Sequence, residues 1–492
     1  MPTLLQRLNR PIVALLAVAA IAGGVRFWHI SHPPDLVFDE LYYAKAGCIL
    51  IGDSNKTCMV TSSDERYWRQ NKWDVGSWVH PPLGKWMIGL GEKAFGVTPF
   101  GWRFASALVG TLTAVLVGLI AQLLFGEPLW TFLAGLLLSI EHLNFVQSRV
   151  AMLDVHLEFW IVVGFLCLLL DRRWMGRRTP PEPEDETEPH RVARVPSPIW
   201  RPWRLAAGIA LGAAVSVKWS GAMALIGAVV ISYVWETVRR RRGPTSHGRA
   251  FAQALGRETF GLVIAFLVLP AAVYMLMYLP WFHHFGWSLK AWWENQTAMW
   301  DYHKSLRATA LDPTTGTYTP THAYYSRPWT WLFMVRPVDF YSRDLGPSFT
   351  EILSIGNPAI FWASVWTLPY LAIVWRRRRD WVAGFVLMGA LSVYLPWFVV
   401  IRPQFFFYVL PMTPFLVLAA TYVLRDLARA TIVLRDEPTG ERIESTHHPY
   451  LPFVWAYVLV AVALFVWFYP VLAGHVISDG AWRARVWFRS WI

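Results

Sequence analysis

Eleven apolar stretches of membrane-spanning or near-spanning length dominate this 492-residue chain and leave little room for a water-soluble core. They fall at roughly 11–30, 104–125, 128–141, 151–170, 204–220, 221–237, 259–280, 356–375, 381–400, 404–424 and 450–473. A hydrocarbon layer of about 30 Å takes about 20 residues of helix, and it punishes any unpaired backbone group, so such runs read as transmembrane helices. Composition agrees: only 16% of the residues are charged, against about 25% in soluble domains. The 30 tryptophans suit interfacial belts, because an indole has an apolar body and a single donor. The expected architecture is an all-α polytopic membrane protein, one transmembrane domain over 1–492. "MPTLLQRLNR" leads into the first run and no small-residue cleavage site follows, so that run is expected to be retained.

Orientation follows from four basic clusters: "RRWMGRR" at 172–178, "RRRRG" at 239–243, "RRRRD" at 376–380 and "RDLARA" at 425–430. Eleven crossings from a cytoplasmic N-terminus put all four inside, as the positive-inside tendency requires, and put the C-terminus outside. Topology thus accounts for the net charge of +12 without a nucleic-acid partner. The inner segments 171–203, which is rich in Pro and charge, and 425–449 read as connectors. The remaining polar motifs gather on the other face, in a first outer loop over 31–103 and a Trp-rich outer loop over 281–355, and function is expected there.

Asp39 and Glu40 in "FDELYYAKAG" stand just past the first run. They read either as a solvated helix end or as a site. Arg26, Arg103, Arg149 and Asp154 lie at the same end of neighbouring runs. Charges at that depth need partners or a wet cavity, so their convergence suggests an anion held beside a base. "VHPPLGKW" contributes His80, two stiffening prolines and Lys85, and "SVKWSG" contributes Lys218; snorkelling is an equal reading for Lys85 and the default one for Lys218. Trp329, Trp331 and Arg336 in "SRPWTWLFMVRPVDFY" suit a sugar ring or a lipid phosphate, as an interfacial belt also would. Arg402 in "IRPQFFFYVLPM" can reach a headgroup phosphate. His283, His284 and Asp301-Tyr302-His303 sit in a Trp-rich segment that reads as an interfacial amphipathic helix rather than a metal site. Cys48 and Cys58 share one polar loop and are expected to pair if it faces an oxidising compartment, whereas Cys167 lies in an apolar run. Asn55 and Asn295 fit the glycosylation acceptor pattern. Walker, HExxH, CxxC and Gly-Xaa-Ser-Xaa-Gly motifs are missing from the sequence.

Taken in order, "VRFWHI", "FDELYYAKAG", "VHPPLGKW", "GWRFASALVG", "SRVAMLDVHLEFW", "SVKWSG", "SRPWTWLFMVRPV" and "RPQFFFYVLPMTPF" resemble the protein O-mannosyltransferases, polyprenyl-phosphate-mannose-dependent enzymes of the GT-C membrane fold. The resemblance runs from about residue 20 to 470. It implies that Asp39 is the catalytic acidic residue with Glu40 beside it, that Arg26 and Arg103 are arginines needed for activity, and that His80 belongs to the same loop pattern. Asp154, Lys218, Arg336 and Arg402 match further motif positions. The segment 281–355 is too short for the β-trefoil MIR domain of eukaryotic members, so the chain resembles the bacterial, actinobacterial-type branch, set in the cell membrane.

The implied reaction moves mannose from a polyprenyl-phosphate-mannose donor to Ser or Thr hydroxyls of secreted or membrane proteins at the extracytoplasmic face, with inversion. Asp39 would act as base, while Arg402, with Arg103 or Lys218, would neutralise the departing phosphate. The resemblance implies no required cofactor and no metal, although two adjacent carboxylates are chemically able to hold one. Expected partners are the lipid donor, Ser/Thr-rich acceptors, membrane lipids and a secretion translocon. Two other readings stay open: a GT-C enzyme that glycosylates a glycan or lipid, and a transporter or flippase.

Overall fold

The computed structural model describes residues 10–52, 58, 79–178, 197–241, 246–311, 317–433 and 446–492. Asn55 and most of the Pro-rich segment that follows the fourth run lie outside them.

Each of the eleven apolar runs is helical. Among the described residues, eight helices are long and apolar enough to cross a membrane. A bent pair, Pro128–Ser139 and His142–Ser148, joins at 64°, and Pro11–Phe27 and Pro202–Val217 are shorter apolar helices. Prolines start several of them, including Pro11, Pro99, Pro128, Pro202 and Pro358. A proline fits the first turn because its missing N–H would have had no intrahelical partner there. Thr98 and Asn357 complete two of these starts by accepting from the N–H groups of Gly101 and Ala359. The 39-residue helix His247–Phe285 carries Pro270. A π-helical turn, Ile264–Val268, immediately precedes it and absorbs the interruption.

Two ends of the bundle differ in kind. Asp154 and Asp171 lie 17 residues apart on the helix Leu153–Gly176, which places them about 25 Å apart at 1.5 Å per residue. Around Asp171, buried Arg201 and Arg204 pair with Asp171, Glu236 and Glu258, and Arg239 and Arg240 join the same network. Part of the basic cluster at 239–243 is therefore structural. The candidate site lies at the Asp154 end.

The polar segments are more structured than loops. In the first, Glu40–Leu50 and Leu83–Phe95 are helices that cross at Gly47 and Gly89. A Cβ on Gly47 would stand 2.4 Å from the Lys85 carbonyl oxygen, and one on Gly89 2.3 Å from that of Gly47, so only glycine allows this approach. Cys48 and Cys58 are joined by a disulfide. The second segment holds the helix Leu289–Ser305, the antiparallel pair Thr309–Leu311 and Tyr318–Pro320, and two strands, Val338–Asp344 and Ser348–Ser354, that continue antiparallel to Ile477–Ser478. These short sheets supplement the all-α expectation without changing the class.

Candidate functional site

Two cavities meet at the Asp154 end of the bundle. The inner one, about 310 Å³, has apolar walls from Leu157, Ile161, Met223, Val393 and Val400, with Asp154, Lys218 and Arg402 among its polar residues. The outer one, about 760 Å³, is more polar and is lined by Asp39, Tyr43, Arg307 and His322. His80, His303, Arg402 and Tyr408 line both.

Asp39 stands at the start of Glu40–Leu50 and accepts a hydrogen bond from the Tyr43 hydroxyl (3.2 Å), one helical turn on. It is half-buried and lines the outer cavity. Burial raises its pKa to about 6; the positive charge of Lys218 pulls the other way. Phe38, just before it, holds a left-handed φ of 49°. That conformation is strained for a bulky residue, and stacking on Phe340 at 4.4 Å and an edge contact with Phe407 hold it in place.

Lys218 closes a salt bridge to Asp154, its Nζ standing 3.0 and 2.8 Å from the two carboxylate oxygens. Both residues are buried. Lys218 Nζ also lies 5.3 Å from the Tyr408 ring, against which Arg402 rests at 5.4 Å. One aromatic ring thus gathers two cations at the cavity junction. Arg402 Nη1 donates to His303 Nδ1 at 2.9 Å.

Glu40, expected to work beside Asp39, points elsewhere. Its carboxylate is fully buried and accepts Arg103 Nε (2.8 Å) and Nη2 (2.9 Å) together with the backbone N–H groups of Val37 (2.8 Å) and Ala151 (2.9 Å). With both oxygens so engaged, the adjacent acids cannot jointly chelate an ion. Arg103 spends its other donors on the carbonyls of Ile30, Pro33 and Asp35. Arg26 bonds the carbonyls of Leu138 and Ser139 at the end of Pro128–Ser139, and Arg149 bonds those of Val25, Arg26, Trp28 and His29 at the end of Pro11–Phe27. Helix C-termini present free carbonyls and partial negative charge, which a guanidinium satisfies. Neither Arg26, Arg103 nor Arg149 lines either cavity.

Arg336 donates to the carbonyls of Ala323, Ser490 and Ile492, away from the cavities. Trp331 is fully buried with its Nε1 on Ser326 Oγ (2.9 Å), and Trp329 is exposed beneath Arg327. Lys85 is buried and donates to the His80 carbonyl. Of the expected residues the structure therefore gathers Asp39, His80, Asp154, Lys218 and Arg402 at the cavities. It adds Tyr43, Trp219 and Tyr408, which the sequence reading did not single out, and His303, which that reading assigned to an interfacial helix. The aromatic Trp-rich helix is present as expected, but His303 at its end turns inward.

Comparison with known proteins shows what this arrangement is similar to. Residues 16–286 match the family model of dolichyl-phosphate-mannose-protein mannosyltransferase, and residues 288–491 match that of the C-terminal four-transmembrane region of protein O-mannosyltransferase. A polyprenol-phosphate-mannose–protein mannosyltransferase of Mycolicibacterium smegmatis is 31% identical over 96% of this chain and 92% of its own length. One from Corynebacterium glutamicum is 29% identical over 87% and 88%. Among solved structures, the Saccharomyces cerevisiae Pmt1–Pmt2 complex bound to the sugar donor superposes with a TM-score of 0.70 at 14% identity, covering 100% of this chain and 93% of the other.

Proposed function

Because the chain belongs to the dolichyl-phosphate-mannose–protein mannosyltransferase family, we propose that its two joined cavities bring a polyprenyl-phosphate-mannose and a protein hydroxyl to Asp39. The enzyme is a membrane glycosyltransferase of the GT-C fold. The observation that carries the assignment of roles is the shared wall of His80, His303, Arg402 and Tyr408, with Lys218 beside it in the inner cavity and Asp39 in the outer one.

The inner cavity suits the donor. Its aliphatic walls match an isoprenoid chain, and Lys218 and Arg402 face the place where a phosphate would end it. Asp154 holds Lys218 in position. The outer cavity suits an extended acceptor bearing a Ser or Thr. Asp39 accepts the hydroxyl proton as that oxygen attacks the anomeric carbon, the bond from that carbon to the phosphate oxygen breaks, and the lipid phosphate leaves with both electrons. The leaving group departs as a stable anion beside two fixed cations, so no protonating acid is required. Attack from the side opposite the phosphate inverts the anomeric centre. A carboxylate with a pKa near 6 is ionised at neutral pH yet more basic than an ordinary aspartate.

The outer face of the cell membrane is the proposed location of the site, supported by the basic clusters at the opposite end of the bundle. Glu40 and the three arginines then serve the reaction by fixing the path of the segment that carries Asp39. The decisive experiment is transfer by purified protein from synthetic mannosyl-phospho-polyprenol to a Thr-rich peptide, with and without chelator. Label on the peptide that is released by β-elimination supports the proposal, and label recovered only on lipid or glycan would replace it.

A further inference from the structure

His303 occupies the junction of the two cavities, carried there by the helix Leu289–Ser305, whose Trp300 lines the inner cavity and whose Tyr302 and Ser305 line the outer one. Its ring makes two polar contacts. Nε2 lies 3.0 Å from the carbonyl oxygen of Val79, and Nδ1 lies 2.9 Å from Arg402 Nη1. A carbonyl only accepts and a guanidinium only donates. The imidazole must therefore be neutral, with its hydrogen on Nε2 and its lone pair on Nδ1 facing Arg402. Burial keeps it so, lowering the pKa to about 4, and the charges of Arg402 and Lys218 act in the same direction. Around the ring lie His80 at 5.4 Å and Trp219 at 6.0 Å between centroids.

We infer that His303 is a positioning residue: its Nδ1 lone pair fixes the Arg402 guanidinium at the cavity junction so that the remaining donors of Arg402 are aimed at the donor phosphate. The inference rests on the proposed function only in identifying that anion as a lipid phosphate. A guanidinium on a flexible stem loses rotamer freedom when it binds, and a preformed hydrogen bond removes part of that loss in advance. The tether to Val79 lies next to His80, so the same ring also links the helix Leu289–Ser305 to the segment that lines both cavities.

Three variants separate the two contacts. His303→Asn places an amide oxygen close to the position of Nδ1 and keeps the acceptor for Arg402. His303→Gln places an amide nitrogen close to Nε2 and keeps only the tether to Val79. His303→Ala keeps neither. The Michaelis constant for mannosyl-phospho-polyprenol is expected to rise about tenfold in His303→Ala and His303→Gln, as loss of one hydrogen bond to a charged group implies, and to recover in His303→Asn. The peptide Michaelis constant should stay within about twofold in all three. Thermal stabilisation by polyprenyl phosphate, which carries no sugar, reads the same contact without turnover and should follow the same order. Unchanged donor constants in His303→Ala, or a His303→Asn variant as impaired as His303→Ala, would overturn the inference. Failure of the wild-type protein to mannosylate peptide while the stabilisation order holds would instead count against the proposed reaction alone.

Discussion

Arg103 and Glu40 form a bidentate pair with no exposure of either side chain, Nε to Oε1 at 2.8 Å and Nη2 to Oε2 at 2.9 Å, one residue from the proposed base. The pair divides the two adjacent acids between separate tasks. Glu40 secures the backbone, which leaves Asp39 alone to face the cavity.

Replacing Glu40 by Ala should therefore act on folding before it acts on chemistry. Removing one partner strands a buried guanidinium, which costs about 3–5 kcal/mol. The expected result is a lower unfolding temperature in detergent and faster proteolysis. Whatever activity survives should keep the wild-type acid limb. A stable Glu40→Ala variant with a shifted acid limb would assign Glu40 a direct part in proton transfer.

Asp39→Asn should abolish mannose transfer without loss of stability. Because the folded protein raises the Asp39 pKa to about 6, the unfolded chain releases this proton more readily, and stability from this group falls as pH rises from about 4 to about 6. Asparagine removes that penalty. At pH 7 the variant should unfold at the same temperature as the wild type or higher.

The same shift sets a kinetic expectation. Turnover needs the carboxylate, so wild-type kcat/KM should decline below an apparent pKa near 6 rather than near 4. A profile that stays flat to pH 5 would exclude Asp39 as the base.

Lys218→Met leaves Asp154 buried without its counter-charge, and it should both destabilise the protein and raise the donor Michaelis constant. Adding Asp154→Asn should restore most of the stability but not the donor constant, because the phosphate still lacks its cation. A double variant that recovers both would reduce Lys218 to a structural ion pair.

Alkylation of the unreduced, denatured protein should modify one cysteine of three, Cys167. Modification of all three would show that Cys48 and Cys58 are unpaired in the purified protein.

The helices were legible from the sequence because a membrane demands one long apolar signal for each, and no distant partner is needed to produce it. Asp39, Lys218 and Arg402 were legible as charges that had to face something wet or paired. The arginines were not separable in the same way. Arg26, Arg149 and Arg336 bind backbone carbonyls more than 100 residues away, and a carbonyl has no sequence signature. His303 was obscured by its surroundings: Trp293 and Trp300 on the same helix are exposed and read as interfacial, while the ring that turns inward finds its partners through Val79 and Arg402.

That Arg149, and Arg103 beyond its pair with Glu40, grip main chain also bears on how such an enzyme can diverge. The loop between the first helix and Asp39 can exchange nearly every side chain beneath those guanidinium groups and keep its course, because a carbonyl survives any substitution. Sequence drift there is cheap, whereas loss of either arginine is not. Between distant members of the family, the path to the proposed catalytic carboxylate should therefore be inherited more faithfully than the letters that spell it.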